Sequence, residues 1–383
     1  WMWPRHTGDF SIFRVYADKE NRPADYSPEN RPYQAETHLA ISTQGYEEGD
    51  FAFIMGFPGS TERYMTSYEI DYMLEVDNPQ RIYIRGERQA ILKEDMLASD
   101  RVRIQYASKY ASSSNYWKNS IGMSRGLLRL HVKESKQAQE ASFQAWAEAN
   151  TLPEERYMEA LDMIRRSVEG AAYARSQSQY LREAFIAAVE IISPAYSFAK
   201  LEEFDAERRA YAREAMANWY KDYNAPTDRK VAKRMLTIAR ENMKVLPSIF
   251  TEVIDKRFKG SIEAYVDDLY DRSIFTSLDK VNKLIDNYDK LSKKLEKDPA
   301  VQLAKSVFEL YAQMVAESSN YEELFKDGHR LYIAGLMLQH PEKAWASDAN
   351  FTIRCTYGNV LPYNPADAIT YNYYTTLEGV IAK

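Results

Sequence analysis

The sequence predicts an α+β multidomain protein in which a small β structure is interrupted by a long, mainly helical segment. Three observations carry this reading. Apolar residues alternate with period two through the first sixty or so residues, the period changes to that of helices from about Thr66, and alternation returns near residue 350.

In the first stretch, "FSIFRVYAD" places Phe10, Ile12 and Arg14 on one face of an extended chain, with Ser11, Phe13 and Val15 on the other. Asp9 stands at the mouth of that strand, either as a turn residue satisfying backbone N–H groups or as a carboxylate aimed at whatever the strand end faces. A Pro- and Asn-rich loop, "KENRPADYSPENRPYQ", leads to two further strand candidates, "HLAISTQG" and "GDFAFIMGFPGSTERY", separated by a short Gly- and Glu-rich turn. Helix starts are expected at Thr151, followed by Pro153 and Glu154, and at Thr227, which follows Pro226. Val281, Leu284, Ile285, Tyr288, Leu291 and Leu295 form an apolar stripe along one helix whose opposite face is Lys and Asp. Pro194, Pro226, Pro247 and Pro299 divide the region into segments of helical length, with no repeat of fixed period. At the end, "NFTIRCTYGNVLPYNP" alternates Phe351, Ile353 and Cys355 ahead of a Tyr-Gly-Asn turn. The expected domains are therefore 1–63, 64–349 and 350–383, the first and last belonging to one β domain whose residues are too few to close a barrel alone.

Composition narrows the function classes. At 383 residues with a formal net charge of −6, 45% hydrophobic and 28% charged residues, the chain reads as an ordinary globular protein. No apolar run reaches the ~20 residues of a membrane span. Basic residues are interleaved with acids, which argues against a nucleic-acid partner. Cys355 stands alone, excluding an internal disulfide or a cysteine-based metal site, and the five histidines are scattered, so no metal is expected. The chain opens on Trp1 without a signal peptide, and residue 1 is read as a point inside a longer polypeptide.

Self-sufficient catalytic motifs are absent: there is no H-E-x-x-H, G-x-S-x-G, P-loop or dinucleotide fingerprint. His6 and Asp9 could form a local dyad, but nothing adjacent supplies a nucleophile or oxyanion hole. "GFPGS", ending in Ser60, reads more simply as a tight turn after a strand. Asn115, in "SSSNYWKN", reads locally as a cap or turn residue. Trp1 and Trp3 are either core residues or an aromatic wall for a ligand.

Taken together, "WMWPRHTGDFSIFRVYAD", "GDFAFIMGFPGSTERY", "KYASSSNYWKNSIGM" and "YGNVLPYNPADAITYNYYTTLEGV" resemble the bacterial serine dipeptidyl-peptidase family of the dipeptidyl-peptidase 7 and 11 type, over nearly the whole chain. The resemblance implies part of a chymotrypsin-like double β-barrel carrying a large helical insertion, and release of dipeptides from oligopeptides with a free N-terminus. It implies that Asp9 is the acid of a Ser-His-Asp triad, holding the histidine's tautomer and stabilising its imidazolium. It implies that Trp1 lies beside the substrate N-terminus and that Asn115 hydrogen-bonds its α-amino group. The chain order of that architecture puts the catalytic histidine, the serine and the specificity pocket outside this chain. The isolated chain is then expected to be inactive, and acidic or hydrophobic preference stays open. No metal or organic cofactor is implied; a periplasmic or cell-surface enzyme of a Gram-negative bacterium is, and a homodimer is allowed. The contrasting expectation is a non-catalytic helical interaction module that keeps the family's scaffold.

Overall fold

The computed structural model describes residues 4–6, 11–200 and 205–382, which divide into one unit of Trp1–Arg63 with Ala346–Lys383 and a second of Tyr64–Trp345. Mainly helical structure with small sheets results.

In the first unit, strands form only where another segment supplies hydrogen bonds, whether near in sequence or far. Tyr16–Ala17 (β1) pairs with Arg31–Pro32 (β2), Phe51–Gly56 (β3) with Arg354–Asn359 (β4), and Tyr363–Ala366 (β5) with Ile369–Tyr371 (β6), all antiparallel. The β3–β4 register runs without a slip from Phe51 opposite Asn359 to Gly56 opposite Arg354. Tyr357, Gly358 and Asn359, expected to form a turn, thus lie inside β4: six ladder positions offered by β3 outweigh the local turn signal. Of the strand expected from Phe10, residues 11–15 have no regular structure, and "HLAISTQG" forms no strand; both are exposed and unpaired in sheets. Alternation without a partner segment does not make a strand.

The unit's two chain crossings are tied together. The Asp348 carboxylate accepts from the Thr61 hydroxyl at 2.6 Å and from Arg63 N–H at 2.9 Å, and Ala349 N–H donates to Thr61 Oγ1 at 2.9 Å. Beside them Phe351, in the left-handed region at φ 63°, packs its ring over Gly59, where a Cβ would sit 3.2 Å from the ring.

The second unit is helical throughout. It comprises Ser67–Tyr72 (α1), Asn78–Ala98 (α2), Asp100–Arg129 (α3), Val132–Asn150 (α4), Ala160–Tyr180 (α5), Ile192–Ala199 (α6), Ala206–Lys221 (α7) and Ala225–Asn242 (α8). Asp255–Phe258 (α9), Ile262–Arg272 (α10), Leu278–Asp286 (α11), Tyr288–Leu295 (α12), Pro299–Ser319 (α13) and Glu322–Gln339 (α14) follow. Wider, π-helical turns occupy Met73–Asp77, Leu181–Ile186 and Phe250–Ile254. The main core gathers Leu92, Tyr106, Phe185, Leu236, Phe250 and Val307, each contributing about 1.5–3 kcal/mol by leaving water. A smaller one packs Phe143 edge-on to Tyr332, with Ile164 and Leu336.

Three local readings shift. Thr151 ends α4, its hydroxyl donating to the Ala147 carbonyl at 2.7 Å, while α5 begins only at Ala160 after short 3₁₀ turns. At α8 the cap is Asn224, whose side chain accepts from Thr227 N–H at 3.1 Å, so Pro226 and Thr227 fall in the first turn. The 281–295 stripe is buried except for half-buried Leu291, but it runs along two helices broken at Asn287.

The break between α5 and α6 is closed by Asp228, which accepts from Glu190 N–H at 2.8 Å and Ile191 N–H at 3.1 Å. Burial first, and then the Glu190 charge, push this carboxyl up to about 7 despite both donors. The folded protein therefore holds a proton that the unfolded chain releases near pH 4. The resulting stabilisation is complete below about pH 4 and is lost as pH rises through about 7. The stability difference between the natural protein and Asp228→Asn should shift against the natural protein from pH 5 to pH 8, by up to about 1.4 kcal/mol per pH unit. Urea unfolding of both at the two pH values checks this; a pH-independent difference would refute it.

Candidate functional site

Of the three residues singled out as a site, Asp9 and Trp1 lie outside the described residues, and Asn115 is described. The chain just before Asp9 is anchored within its own unit: the Thr375 hydroxyl donates to the Arg5 carbonyl at 2.5 Å, and the His6 ring lies against Gly379, where a Cβ would come within 2.1 Å of Nδ1. Ser60 is exposed.

Asn115 is neither a cap nor a turn residue but sits in the middle of α3. A run of serines is a poor helix former in isolation, and tertiary packing explains its conformation here. Ser113, Ser114 and Ser120 are buried, their small side chains letting α3 approach its neighbours closely. Trp117 then pins α3 to α2: its indole N–H donates to the Ile82 carbonyl at 2.9 Å, and a Cβ at Gly86 would sit 3.3 Å from that nitrogen. Farther along, Asn78 Nδ2 donates to Ser124 Oγ at 3.0 Å.

The Asn115 side chain is exposed and has no hydrogen-bond partner among the described residues. Its carbonyl oxygen can accept from a cationic amine and its NH₂ can donate. The following residue, Tyr116, is 57% exposed, and the Arg85 guanidinium lies 5.0 Å from its ring centroid. Arg85 Nη1 also reaches the Ser113 carbonyl at 3.5 Å. An amide presented outward from a doubly anchored helix suits recognition of a small polar group better than bond-making chemistry.

A cleft of about 270 Å³ elsewhere in the helical unit is lined by Glu69, Tyr72, Asp77, Arg175, Arg182 and Tyr311 among others. Its carboxylates are already engaged. Glu69 accepts from Thr66 N–H and Oγ1, both at 2.8 Å, and lies 3.0 Å from His329 Nε2. Burial opposes ionisation of Glu69, but His329 and Thr66 outweigh it and hold the carboxyl below its ordinary value. Asp77 faces Arg81 at 3.5 Å, and burial pushes the Tyr72 hydroxyl up, keeping it protonated. Nothing there is poised as a general base. Among the described residues, no group of three or more His, Cys, Asp or Glu could hold a metal ion, and no helix is long and apolar enough to cross a membrane.

Arg85 and Trp117, which hold the Asn115 turn, were not legible as site residues. The aromatics after Asn115 are visible in the sequence, but the partners in α2 are about thirty residues away and carry no motif.

The family model described as Peptidase S46 matches residues 1–383. Dipeptidyl-peptidase 7 of Porphyromonas gingivalis is 43% identical over 387 residues, covering 100% of this chain and 54% of that protein. The Asp/Glu-specific dipeptidyl-peptidase of the same organism is 38% identical over 398 residues, with the same coverage. Among solved structures, Porphyromonas endodontalis DPP11 in complex with dipeptide Arg-Glu matches with a TM-score of 0.84 and 34% identity, over 100% of this chain and 56% of that one. The chain spans about half the length of the curated relatives it matches.

If Trp117 holds the Asn115 turn against α2, Trp117→Phe should lower the stability of the helical unit by about 1–2 kcal/mol through the lost hydrogen bond and the gap beside Gly86. Denaturant unfolding followed by far-ultraviolet circular dichroism measures it, and an unchanged midpoint would contradict the anchoring.

Proposed function

The chain belongs to the peptidase S46 family, and from that membership we propose that it carries the triad acid and the amine-binding groups of a serine dipeptidyl-peptidase that releases dipeptides from oligopeptides with a free N-terminus. The match over the whole chain to dipeptidyl-peptidases supports the activity. The observation on this chain that carries the amine-binding part is the Asn115 amide, exposed, unpartnered and held on the α2–α3 pair. Desolvating a cationic amine is costly, so a fixed acceptor at one distance from the scissile bond favours substrates whose N-terminus is free and two residues away.

In this reading Asp9 orients the catalytic histidine and stabilises its imidazolium while serine attacks. The histidine and serine are expected in the part of the relatives' length that this chain does not span. Trp1 lies beside the amine. The first unit belongs to a chymotrypsin-like double β-barrel and the helical unit is its insertion. Support for further strands comes from β3, where Phe51, Phe53, Ile54 and Met55 put apolar side chains on both faces of a two-stranded ribbon and all four are exposed. A ribbon of that kind needs partners to be stable in water. We place the complete enzyme in the periplasm or at the surface of a Gram-negative cell; homodimer formation is compatible with the reading.

The test uses the complete natural polypeptide and fluorogenic dipeptide substrates. Free-amine substrates should be cleaved and N-acetylated ones not. Asp9→Asn should lower kcat about 10⁴-fold, and Asn115→Ala should lower kcat/KM roughly 10- to 100-fold. Equal cleavage of both substrate forms, or full activity in Asp9→Asn, would overturn the assignment.

A further inference from the structure

An exposed asparagine without a side-chain partner owes its position to its backbone alone, so whatever fixes the turn around residue 115 fixes the amide. Besides the Trp117 hydrogen bond, that turn is gripped through one buried carboxylate. Glu183 lies in the π-helical turn Leu181–Ile186 and is 4% exposed. It accepts from Arg85 Nε at 2.8 Å and Nη2 at 3.2 Å, a two-point pairing, and faces Arg81 Nε at 3.7 Å. Both arginines then reach α3. Arg85 meets the Ser113 carbonyl and the Tyr116 ring, and Arg81 Nη1 donates to Ser120 Oγ at 3.3 Å. These three contacts, at Ser113, Tyr116 and Ser120, bracket Asn115 on either side along the helix.

We propose that Glu183, Arg85 and Arg81 form a positioning clamp for Asn115 in substrate-amine binding, an assignment that rests on the reading of Asn115 above. Two physical arguments favour a functional role over a merely structural one. A buried ion pair gives little net stability relative to apolar packing, because desolvating both charges offsets their attraction. Electrostatics point the same way: two guanidinium groups behind an amine-binding residue would repel the substrate cation, and the buried Glu183 carboxylate offsets one of those charges while Asp77, 3.5 Å from Arg81, offsets the other. The planar guanidinium is needed, since a lysine at position 85 keeps the charge but cannot span both Glu183 oxygens while lying under Tyr116.

A double-mutant cycle on the complete natural polypeptide decides the matter, with kcat and KM measured on a free-amine dipeptide substrate for Arg85→Lys, Asn115→Ala and the double variant. If the clamp acts through Asn115, Arg85→Lys should lower kcat/KM about 5- to 20-fold, mainly by raising KM. In the Asn115→Ala background the same change should cost less than about twofold. Equal losses in both backgrounds, or a loss confined to kcat, would overturn the clamp while leaving the role of Asn115 standing. An Asn115→Ala variant with natural kcat/KM would instead remove the amine-binding reading, and the clamp with it. Should Arg85→Lys fail to fold, Tyr116→Leu, a change at an exposed ring, takes its place in the cycle. The same coupling then supports the clamp, and independent effects reject it.

Discussion

Helix ends that water cannot reach are the constraint on which the helical unit depends. Each break in a helix leaves backbone N–H groups without acceptors, and leaving them bare inside a protein is costly. Buried carboxylates meet this demand here. Glu140 accepts from Ser67 N–H at the start of α1 at 2.6 Å, Asp228 takes two N–H groups between α5 and α6, and Asp298 takes those of Ile274, Ala300 and Val301. Because each acid reaches across to another helix or caps its own while bridging to a neighbour, satisfying the backbone also sets how the helices pack. Glu183 belongs to the same group by burial but is paired with arginines.

This dependence explains what could and could not be read along the chain. Local signals succeeded where the deciding partner is near: Pro226 and Thr227 marked the start of α8 to within a few residues, and the 281–295 stripe identified the buried face. They failed where the partner is remote. Glu140 lies 73 residues from Ser67 and Glu183 98 from Arg85, and no spacing rule connects them. The serines before Asn115 spell a loop locally, yet their burial against neighbouring helices makes them helical. Tyr357-Gly358-Asn359 spells a turn, yet pairing with β3 makes it strand. Asn115 stood out as a candidate binding residue only through family resemblance, since an exposed amide in mid-helix carries no local signature.

The sheet unit shows the same lesson from the opposite side. Alternating residues became strands where another segment of this chain supplied a ladder, and remained irregular where none did. Ala17 is the one buried hydrophobic residue among those described in that unit, whereas the helical unit has two distinct apolar cores. Stability is therefore concentrated in the helices, and the positions that present Asn115 are drawn from this firmer part of the molecule.

One further consequence concerns the crossings near residues 63 and 346. Tyr64 and Trp345 meet with ring centroids 6.1 Å apart at the ends of the helical unit, while Asp348 joins Thr61 and Arg63 in the sheet unit. Departure and return of the chain are thus fixed side by side on each account, and the register of β3 against β4 does not rely on anything between them. Because the chain leaves and re-enters the sheet unit at tied points, the entropic cost of closing that connection grows only slowly with the length of what lies between them, about 0.6 kcal/mol for each doubling.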